Sequence, residues 1–336
     1  MKKTILVTGG AGYIGSHVII ELLRTDKYNV ISVDCFLNSS PKTYERIKEI
    51  AGKQFGTYNV NLCNEEKLEK VFIENKIDAV IHFAALKSVG ESVENPLWYY
   101  DNNINSLINL LKFCKEFEVT NFIFSSSCSV YGNIEKLPVD ENTPLGKTES
   151  PYAYTKQVGE QIIQDFCSIN NMNAISMRYF NPVGADISGK IGESPINKPN
   201  NLIPLIMGVG IGKYPQLTVF GNDYPTRDGT CIRDYVHVSD IARAHILAIE
   251  YKTTGKYKVF NLGSGNGVTV LEAISAFEKV ADKKVNYVIG QARKGDIIAV
   301  YSDSTKVFKE LGWKCEHDIV SMMKTAWAWE IYYKYI

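Results

Sequence analysis

Gly9-Gly10-Ala11-Gly12-Tyr13-Ile14-Gly15 is the stretch that decides the fold of this chain. The apolar segment over 4–8 predicts a strand before it, and the apolar stripe over 14–24 predicts a helix after it. A glycine turn between strand and helix lets the backbone approach a pyrophosphate, whose charge the helix N-terminus stabilises. We therefore expect Gly9, Gly12 and Gly15 to form a dinucleotide-binding loop; the alternative is a glycine-rich turn that binds nothing.

Asp34 follows the second predicted strand, over 30–33, and stands 19 residues after Gly15. An acidic side chain at this position accepts hydrogen bonds from a ribose diol. Its charge would repel the 2′-phosphate that distinguishes NADP from NAD, although Lys42 or Arg46 could offset that repulsion. Together with the glycine loop, Asp34 favours NAD; without the loop it would be a turn residue at a strand end.

Predicted strands and helices alternate along the first half of the chain. The predicted strands are 4–8, 30–33, 56–61, 79–83, 121–126 and 174–178, and the predicted helices are 14–24, 43–51, 96–115 and 151–167. Such alternation indicates a parallel sheet with helices on both faces. We expect an α/β protein with a Rossmann-type doubly wound parallel sheet.

The texture of the sequence changes after Asn181 to loops rich in Gly, Pro and Asn. We therefore predict an NAD-binding Rossmann domain over 1–181 and a smaller α/β substrate-binding domain over 182–336. A strand followed by an amphipathic helix begins at Asp234, and we expect about 234–255 to return to the first sheet.

The composition excludes several classes of protein. The chain has 336 residues, which favours two domains, and its 37 basic and 37 acidic residues leave no net charge to attract nucleic acid or an anionic membrane. No window approaches the ~18 consecutive apolar residues of a membrane span. The seven cysteines are scattered, without Cys-x-x-Cys pairs or zinc-ligand spacing. This pattern favours reduced thiols, a cytoplasmic location and no bound metal.

Tyr152 and Lys156 are the candidate proton-transfer pair. A phenol titrates near 10, so it is a poor base at neutral pH unless a nearby cation favours its ionised form. Residues four apart on a helix share a face, which places Lys156 to be that cation. Ser150-Pro151 supplies an N-cap and a proline at the first helical position. Tyr152 is therefore expected in the first turn, where the helix dipole also favours the phenolate.

Ser127 follows the strand predicted over 121–126 and precedes Tyr152 by 25 residues. The carboxyl ends of parallel strands form the edge of the sheet at which ligands bind. A serine there, taken alone, is more simply a loop cap. With the glycine loop and the Tyr152/Lys156 pair, its hydroxyl becomes a candidate catalytic group.

Further motifs lie outside the glycine loop and the Tyr152 helix. They occupy 81–92, 99–103, 121–132, 178–185, 199–202, 220–226 and 233–238. Together with 8–16 they resemble the extended short-chain dehydrogenase/reductase family along nearly the whole chain. The similarity is greatest to those members that act at C4 of a UDP-hexose.

The resemblance implies a reversible inversion at C4, with NAD retained and regenerated in each cycle. Tyr152 would take the proton of the C4 hydroxyl while a hydride moves from C4 to the nicotinamide. Ser127 would hydrogen-bond that oxygen, and Lys156 would lower the tyrosine pKa and hold the nicotinamide ribose. The 4-keto sugar would then turn and take the hydride back on its other face. A homodimer is also implied, through the helices over 96–115 and 151–167.

The family's contact residues carry over onto matching positions. Besides the three glycines, Ser127, Tyr152 and Lys156, the implied NAD contacts are Tyr13, Ile14, Asp34, Asn38, Ser39, Asn61, Leu62, Phe83, Ala84, Lys87, Asn102 and Phe180. The implied UDP-sugar contacts are Lys87, Ser127, Asn181, Asn201, Leu202, Thr218, Phe220, Arg233, Arg293, Asp296 and Val300. Two arginines suit a diphosphate, and a carboxylate suits ribose hydroxyls.

Three positions depart from the family pattern. Asn61-Leu62 stands where Asp-Ile is common near the adenine, and an amide carbonyl can still accept from an exocyclic amine. Cys35 replaces a common Asn beside Asp34, which removes one polar contact. Val300 is small where members restricted to glucose and galactose carry tyrosine. We therefore expect UDP-N-acetylglucosamine to be a substrate as well as UDP-glucose, unless neighbouring side chains refill the space.

Three other functions compete with this interpretation. Nucleotide-sugar 4,6-dehydratases share the first hydride step but place Asp-Glu directly after the Ser/Thr position, where this chain has Cys128-Ser129. Epimerisation of UDP-glucuronate would need only a different group facing C6. A non-enzymatic NAD-binding regulatory module would be expected to lose Tyr152 or Lys156, and this chain keeps both.

Overall fold

The computed structural model describes residues 2–134, 136–196, 199, 201–251, 256–293 and 297–335. The chain forms two compact units. The first comprises Met1–Asn133, Glu141–Tyr179 and Ala242–Asn261, and the second comprises Ile134–Asp140, Phe180–Ile241 and Leu262–Ile336. The sequence-based division at Asn181, with about 234–255 returning to the first sheet, stays a prediction.

Strands and helices alternate through most of the chain. In chain order they are β1 Lys3–Thr8, α1 Tyr13–Thr25, β2 Tyr28–Asp34, α2 Lys42–Ala51, β3 Gly56–Asn59, α3 Glu65–Glu74, β4 Ala79–His82, α4 Val89–Glu94, α5 Pro96–Glu116, β5 Asn121–Ser127, α6 Pro151–Ile169 and β6 Asn173–Tyr179. They continue with β7 Asn181–Val183, α7 Leu202–Gly210, β8 Leu217–Phe220, β9 Ile232–His237, α8 Val238–Glu250, β10 Tyr257–Leu262, β11 Gly267–Thr269, α9 Val270–Ala281, β12 Tyr287–Gly290, β13 Ala299–Val300, α10 Thr305–Leu311 and α11 Ile319–Lys334.

A seven-stranded sheet forms the centre of the first unit, in the order β10-β6-β5-β4-β1-β2-β3. The pairs from β6 to β3 are parallel, with Ile5 opposite Val30 on one side and Ala79 on the other. The residues Ile5, Leu6 and Val7 are all fully buried, as expected for a parallel strand covered on both faces. This strand order is that of a Rossmann-type doubly wound sheet, which confirms the predicted fold class.

Helix α6 begins where its sequence predicts. The Ser150 side chain accepts a hydrogen bond from the backbone N–H of Ala153 at 3.2 Å, and Pro151 occupies the first helical position. Proline tolerates this position because its missing N–H would have had no partner within the helix. Tyr152 therefore lies in the first turn, and the buried ammonium of Lys156 follows one turn later.

The second unit has its own sheets and core. β9 lies between β11 and β13 and also pairs with β7, while β8 and β12 form a separate two-stranded parallel sheet. Helices α7, α9 and α11 contribute to one apolar cluster, in which the rings of Phe277 and Trp327 meet edge to face at 5.2 Å. The unit thus combines short strands with packed helices.

Candidate active site

The glycine loop is shaped by two close backbone approaches. Gly9 has φ +69°, and a Cβ there would lie 2.6 Å from the backbone nitrogen of Ala84. A Cβ at Gly15 would lie 2.4 Å from the carbonyl oxygen of Gly9. Gly12 caps helix α1, and the Gly12 N–H donates to the Gly9 carbonyl at 3.1 Å. Only glycine fits Gly9 and Gly15, and the turn presents the N-terminus of α1 as an anion site.

The Asp34 carboxylate is built into this loop. Its Oδ2 accepts from the backbone N–H of Ala11 at 3.0 Å, and its Oδ1 accepts from the N–H of Phe36 at 2.8 Å and the hydroxyl of Ser39 at 2.9 Å. A carboxylate has about four acceptor positions, so Oδ2 retains capacity for a ribose hydroxyl. The predicted contacts Asp34, Ser39 and Ala84 thus meet around the loop.

The Ser127 side chain lies close enough to the Tyr152 phenol to lower its pKa. Ser127 is the last residue of β5, and its oxygen accepts from the N–H of Ser129 at 3.2 Å and the hydroxyl of Ser129 at 2.9 Å. The serine at the end of β5 and the tyrosine at the start of α6 therefore lie side by side. This arrangement suits transfer of a proton between a substrate hydroxyl and the phenol.

Lys156 is held near this pair by the backbone of β5. Its Nζ donates to the carbonyl oxygen of Ser125 at 2.6 Å, lies 4.9 Å from the centre of the Phe124 ring and lies 6.0 Å from the centre of the Tyr152 ring. The sequence predicted the shared helix face, which the structure shows. It did not predict the Ser125 carbonyl, because a backbone acceptor leaves no signal in residue identity.

Burial opposes ionisation of both Tyr152 and Lys156. It raises the pKa of Tyr152 to about 12, although the Ser127 side chain acts in the opposite direction. It lowers the pKa of Lys156 to about 8, although the Glu160 carboxylate acts to raise it. In the protein alone, burial therefore outweighs the effect that lowers the pKa of Tyr152.

Glu160 is a buried member of the site that the sequence analysis did not select. Its carboxylate forms two hydrogen bonds with the guanidinium of Arg178, at 2.9 and 2.6 Å, and accepts a further one from the hydroxyl of Ser126. The pair is nearly inaccessible to solvent, where breaking a paired charge is strongly destabilising. Its four-residue spacing from Lys156 was the available signal. Glu160 ties helix α6 to the end of strand β5.

Other predicted cofactor contacts of the first unit lie along the carboxyl edge of the sheet or on α5. The Phe83 N–H donates to the Thr8 carbonyl at 3.0 Å, directly after β4. The Asn61 side-chain oxygen accepts from the N–H of Cys63 at 2.9 Å, so one acceptor position expected to face adenine is used within the turn. Tyr13 and Ile14 open α1 and Leu62 is buried, whereas Asn38 and Lys87 are exposed and Asn102 is partly buried.

The predicted UDP-sugar contacts belong to the second unit, apart from Lys87 and Ser127. Phe180, predicted to contact the cofactor, also belongs to this unit, where its N–H donates to the Leu262 carbonyl at 3.0 Å. The Arg293 guanidinium stacks on the Phe220 ring at 4.2 Å from its centre, which brings together two predicted contacts. Asp296 lies outside the described residues.

Arg233 and Val300 are neighbours across the β9–β13 pair. The Arg233 Nη1 donates to the carbonyl oxygens of Ile232 at 2.9 Å and Ile297 at 2.6 Å, and Val300 is buried. The Asn181 side chain donates to the carbonyl of Asp234 at 3.1 Å. Thr218 lies on β8, and Asn201 and Leu202 are at the start of α7. Arg233, Val300 and Asn181 are therefore close to one another.

The described residues form neither a helix that could span a membrane nor a cluster that could bind a metal ion. None of the helices in the described ranges has the length and apolar character that a bilayer crossing requires. Within the same part of the chain, no group of three or more His, Cys, Asp or Glu side chains is arranged to hold a metal ion.

Comparison with known proteins places this geometry in a family. Residues 5–263 match the model of the NAD-dependent epimerase/dehydratase family. The chain is 47% identical over 329 residues to the UDP-glucose 4-epimerase of Bacillus subtilis, covering 97% of this chain and 96% of that protein. The curated relatives are thus epimerases matched along their length.

Solved structures similar to this chain are also UDP-glucose 4-epimerases. The UDP-glucose 4-epimerase of Bifidobacterium longum in complex with NAD⁺ and UDP aligns with a TM-score of 0.93 and 47% identity, covering 98% of both chains. That of Stenotrophomonas maltophila, with bound NAD and formylated UDP-arabinopyranose, aligns with a TM-score of 0.96 and 42% identity, covering 99% of both chains. The chain therefore belongs to the NAD-dependent epimerase/dehydratase family.

Proposed function

We propose that the protein catalyses the reversible C4 epimerisation of UDP-hexoses, interconverting UDP-glucose and UDP-galactose. The observation that carries this proposal is the placement of Ser127, at the end of β5, beside the Tyr152 phenol in the first turn of α6, on the edge of the sheet that also carries the glycine loop. The similarity to UDP-glucose 4-epimerases along the whole chain supports it.

The first unit fits NAD. The two crowded glycines leave room for a pyrophosphate at the start of α1, and the Asp34 carboxylate is held by the same loop with acceptor capacity remaining. An aspartate here favours NAD over its 2′-phosphorylated form. NAD supplies, when bound, an acceptor that takes a hydride from C4 and returns it, so the reaction needs no net oxidant.

Tyr152 is proposed as the group that removes and returns the proton of the C4 hydroxyl. Ser127 hydrogen-bonds the same oxygen and shares the proton during the transfer. Lys156, fixed by the Ser125 carbonyl, holds a positive charge beside the phenol and is placed to bind a ribose hydroxyl. Because C4 loses and regains its hydrogen on either face, both epimers are substrates and products.

The second unit is proposed to hold the UDP part. Arg233 and Arg293 carry the charge that neutralises a diphosphate, and the Phe220 ring beneath Arg293 fixes the plane of that guanidinium. Asn181, Asn201, Leu202, Thr218 and Asp296 are proposed as the remaining contacts. Val300 is proposed to leave room for an N-acetyl group, so that UDP-N-acetylglucosamine is also a substrate.

Dehydration is disfavoured by the residues beside Ser127. Elimination needs an acid and a base next to the hexose, and Cys128 and Ser129 supply neither a carboxylic acid nor a carboxylate. The Ser129 hydroxyl is instead turned onto Ser127 at 2.9 Å. The relatives in the comparison are likewise epimerases.

The proposed reaction predicts activity without added cofactor. Purified protein mixed with UDP-galactose alone should produce UDP-glucose, because the retained NAD is regenerated in each cycle. Product is measured by chromatography of the nucleotide sugars, and bound NAD by its release on denaturation. A protein that releases stoichiometric NAD yet leaves UDP-galactose and UDP-N-acetylgalactosamine unchanged would contradict the proposal. UDP-glucuronate is included as a third substrate, and exclusive turnover of it would favour the competing epimerase.

We propose that the protein is a cytoplasmic homodimer. All seven cysteines, each within the described ranges, are free thiols, which supports a reducing compartment. Large apolar side chains on α4 and α5 are exposed, with Leu97 79% and Val93 60% accessible, and Tyr154 on α6 is also exposed. Helices α4, α5 and α6 pack on one another, and exposed apolar side chains on neighbouring helices are typical of a protein interface. The proposed occupant is the same face of a second copy.

The dimer face can be tested with one charge. Leu97→Glu should convert dimer to monomer at micromolar concentration, because it would bury an unpaired carboxylate in the interface. Ile73→Glu on α3, where the side chain is 65% exposed, is the matched control and should remain dimeric. Light scattering measures the mass of each. Equal masses for the two variants would exclude this face.

A further inference from the structure

Side chains of strand β9 form hydrogen bonds with the segment 297–302 at two places, one on either side of Val300. On one side, the Arg233 guanidinium donates to the carbonyl oxygen of Ile297 at 2.6 Å. On the other side, Asp234 Oδ2 accepts from the N–H of Ser302 at 3.0 Å and from its hydroxyl at 2.7 Å. Between these points Val300 pairs with Arg233 in parallel register. Consecutive residues of one strand thus fix the backbone around Val300.

Asp234 is the centre of this arrangement. Its carboxylate is fully buried and accepts five hydrogen bonds, two from Ser302 and three from the loop after β10. Those three come from the N–H and hydroxyl of Ser264, at 2.7 and 2.6 Å, and the N–H of Gly265, at 3.1 Å. A buried carboxylate is tolerated only when its oxygens are paired in this way. The carboxylate therefore holds both segments in one arrangement.

The surroundings leave this carboxylate little freedom. A Cβ at Gly263 would lie 2.3 Å from Asp234 Oδ2 and 2.3 Å from the Ser302 hydroxyl oxygen. The segment that follows Val300 is also bound to Val139, whose N–H donates to the Tyr301 carbonyl at 2.9 Å and whose carbonyl accepts from the Asp303 N–H at 2.7 Å. The segment carrying Val300 is therefore held from both sides.

We propose that Asp234 is a positioning residue for sugar specificity, which acts through Ser302 to fix the wall that Val300 contributes to the sugar site. The inference rests on the proposed function, because it concerns which UDP-hexoses that site accepts. A side chain at position 300 can exclude an N-acetyl group only if its backbone cannot retreat, since a yielding wall relieves overpacking. Specificity then depends on the size of residue 300 and on the hydrogen bonds of Asp234 together.

The test combines a larger side chain at position 300 with the loss of a hydrogen bond that holds the neighbouring backbone. Val300→Tyr should lose turnover of UDP-N-acetylglucosamine, and adding Ser302→Ala should restore it at least about fivefold, because one hydrogen bond to Asp234 is lost. Adding Ser264→Ala instead is the matched control. It removes a hydroxyl bond to the same carboxylate, but from the loop that does not carry Val300. This double variant should show no recovery.

A second measurement does not depend on activity. Hydrogen–deuterium exchange should accelerate at the amides of 300–302 in Ser302→Ala, whereas Ser264→Ala should leave them at the wild-type rate. A merely structural role would lower thermal stability in both variants alike and would restore no lost substrate. Both variants are checked for bound NAD and for turnover of UDP-glucose.

Each result of these experiments either supports or overturns the positioning role of Asp234. Recovery in the Ser302 double variant alone, with the matching exchange result, supports the positioning role. Recovery in both double variants or in neither overturns it, as does a wild-type protein that turns over UDP-glucose but not UDP-N-acetylglucosamine. A wild-type protein that turns over no UDP-hexose would instead overturn the proposed function. The hydrogen–deuterium exchange rates at 300–302 would then test separately whether Asp234 holds this segment.

Discussion

Tyr152→Phe is expected to lower kcat for UDP-galactose by about 10³-fold, the usual size of a general acid–base contribution. The variant keeps the ring and loses only the hydroxyl that lies beside Ser127. The phenol of Tyr154, two residues further along the same helix, is exposed to solvent. Initial rates by coupled assay measure the change in kcat.

The control is Tyr154→Phe, which removes a phenol hydroxyl two residues further along α6 and should keep the wild-type kcat. Both variants should release wild-type amounts of NAD on denaturation, because neither change touches the glycine loop or Asp34. A Tyr152→Phe protein with full NAD content and wild-type kcat would show that another group moves the proton.

The pKa values explain why the tyrosine needs a further positive charge. In the protein alone, the Lys156 ammonium titrates at about 8 and the Tyr152 phenol at about 12, so the lysine loses its charge before the phenolate forms. The charged pair required for catalysis is then never the dominant state. Oxidised nicotinamide is the additional cation that the proposed site supplies, and it favours the phenolate. In the proposed mechanism, removal of the proton would therefore depend on the oxidised cofactor.

The nucleotide-binding half could be predicted well from sequence, because its signals are local. The glycine turn, Asp34 at a strand end and the Ser150-Pro151 cap each depend on residues adjacent in the chain. Helix α3 was missed although Asn64 caps it through the N–H of Lys67. Its apolar stripe is only Leu68, Val71 and Phe72 among charged residues, so periodicity alone gave a weak signal.

The second half was harder because its contacts are distant in sequence. Strand β13 has only two residues and is defined by its pairing with β9. A segment this short has no pattern of alternating residues from which a strand could be predicted. Asp234 was passed over for its neighbour Arg233, since its partner Ser302 stands 68 residues later. The balance of charges at Tyr152 was likewise beyond the sequence. Residue spacing showed that Lys156 shares a face with Tyr152, but only the packed structure shows that burial dominates both pKa values.

Val300→Tyr is expected to lower kcat/KM for UDP-N-acetylglucosamine by about 100-fold while that for UDP-glucose changes by less than about threefold. Val300 is buried between the fixed points at Ile297 and Ser302, so the wall cannot move away from a larger side chain. The phenol ring would occupy the space proposed for the acetamido group, and glucose, with only a hydroxyl at C2, does not use that space.

Val300→Ala tests the same argument in the opposite direction and should retain both substrates, because it enlarges the space without blocking it. Rates of formation of UDP-galactose and UDP-N-acetylgalactosamine are compared by chromatography for the three proteins. A Val300→Tyr protein that epimerises the N-acetylated sugar at the wild-type rate would show that specificity is set elsewhere. Equal losses on both substrates would instead show that the tyrosine disturbs Arg233, which is its partner across the strand pair. The ratio of the two rates, rather than either rate alone, therefore separates exclusion of the acetamido group from damage to the diphosphate site.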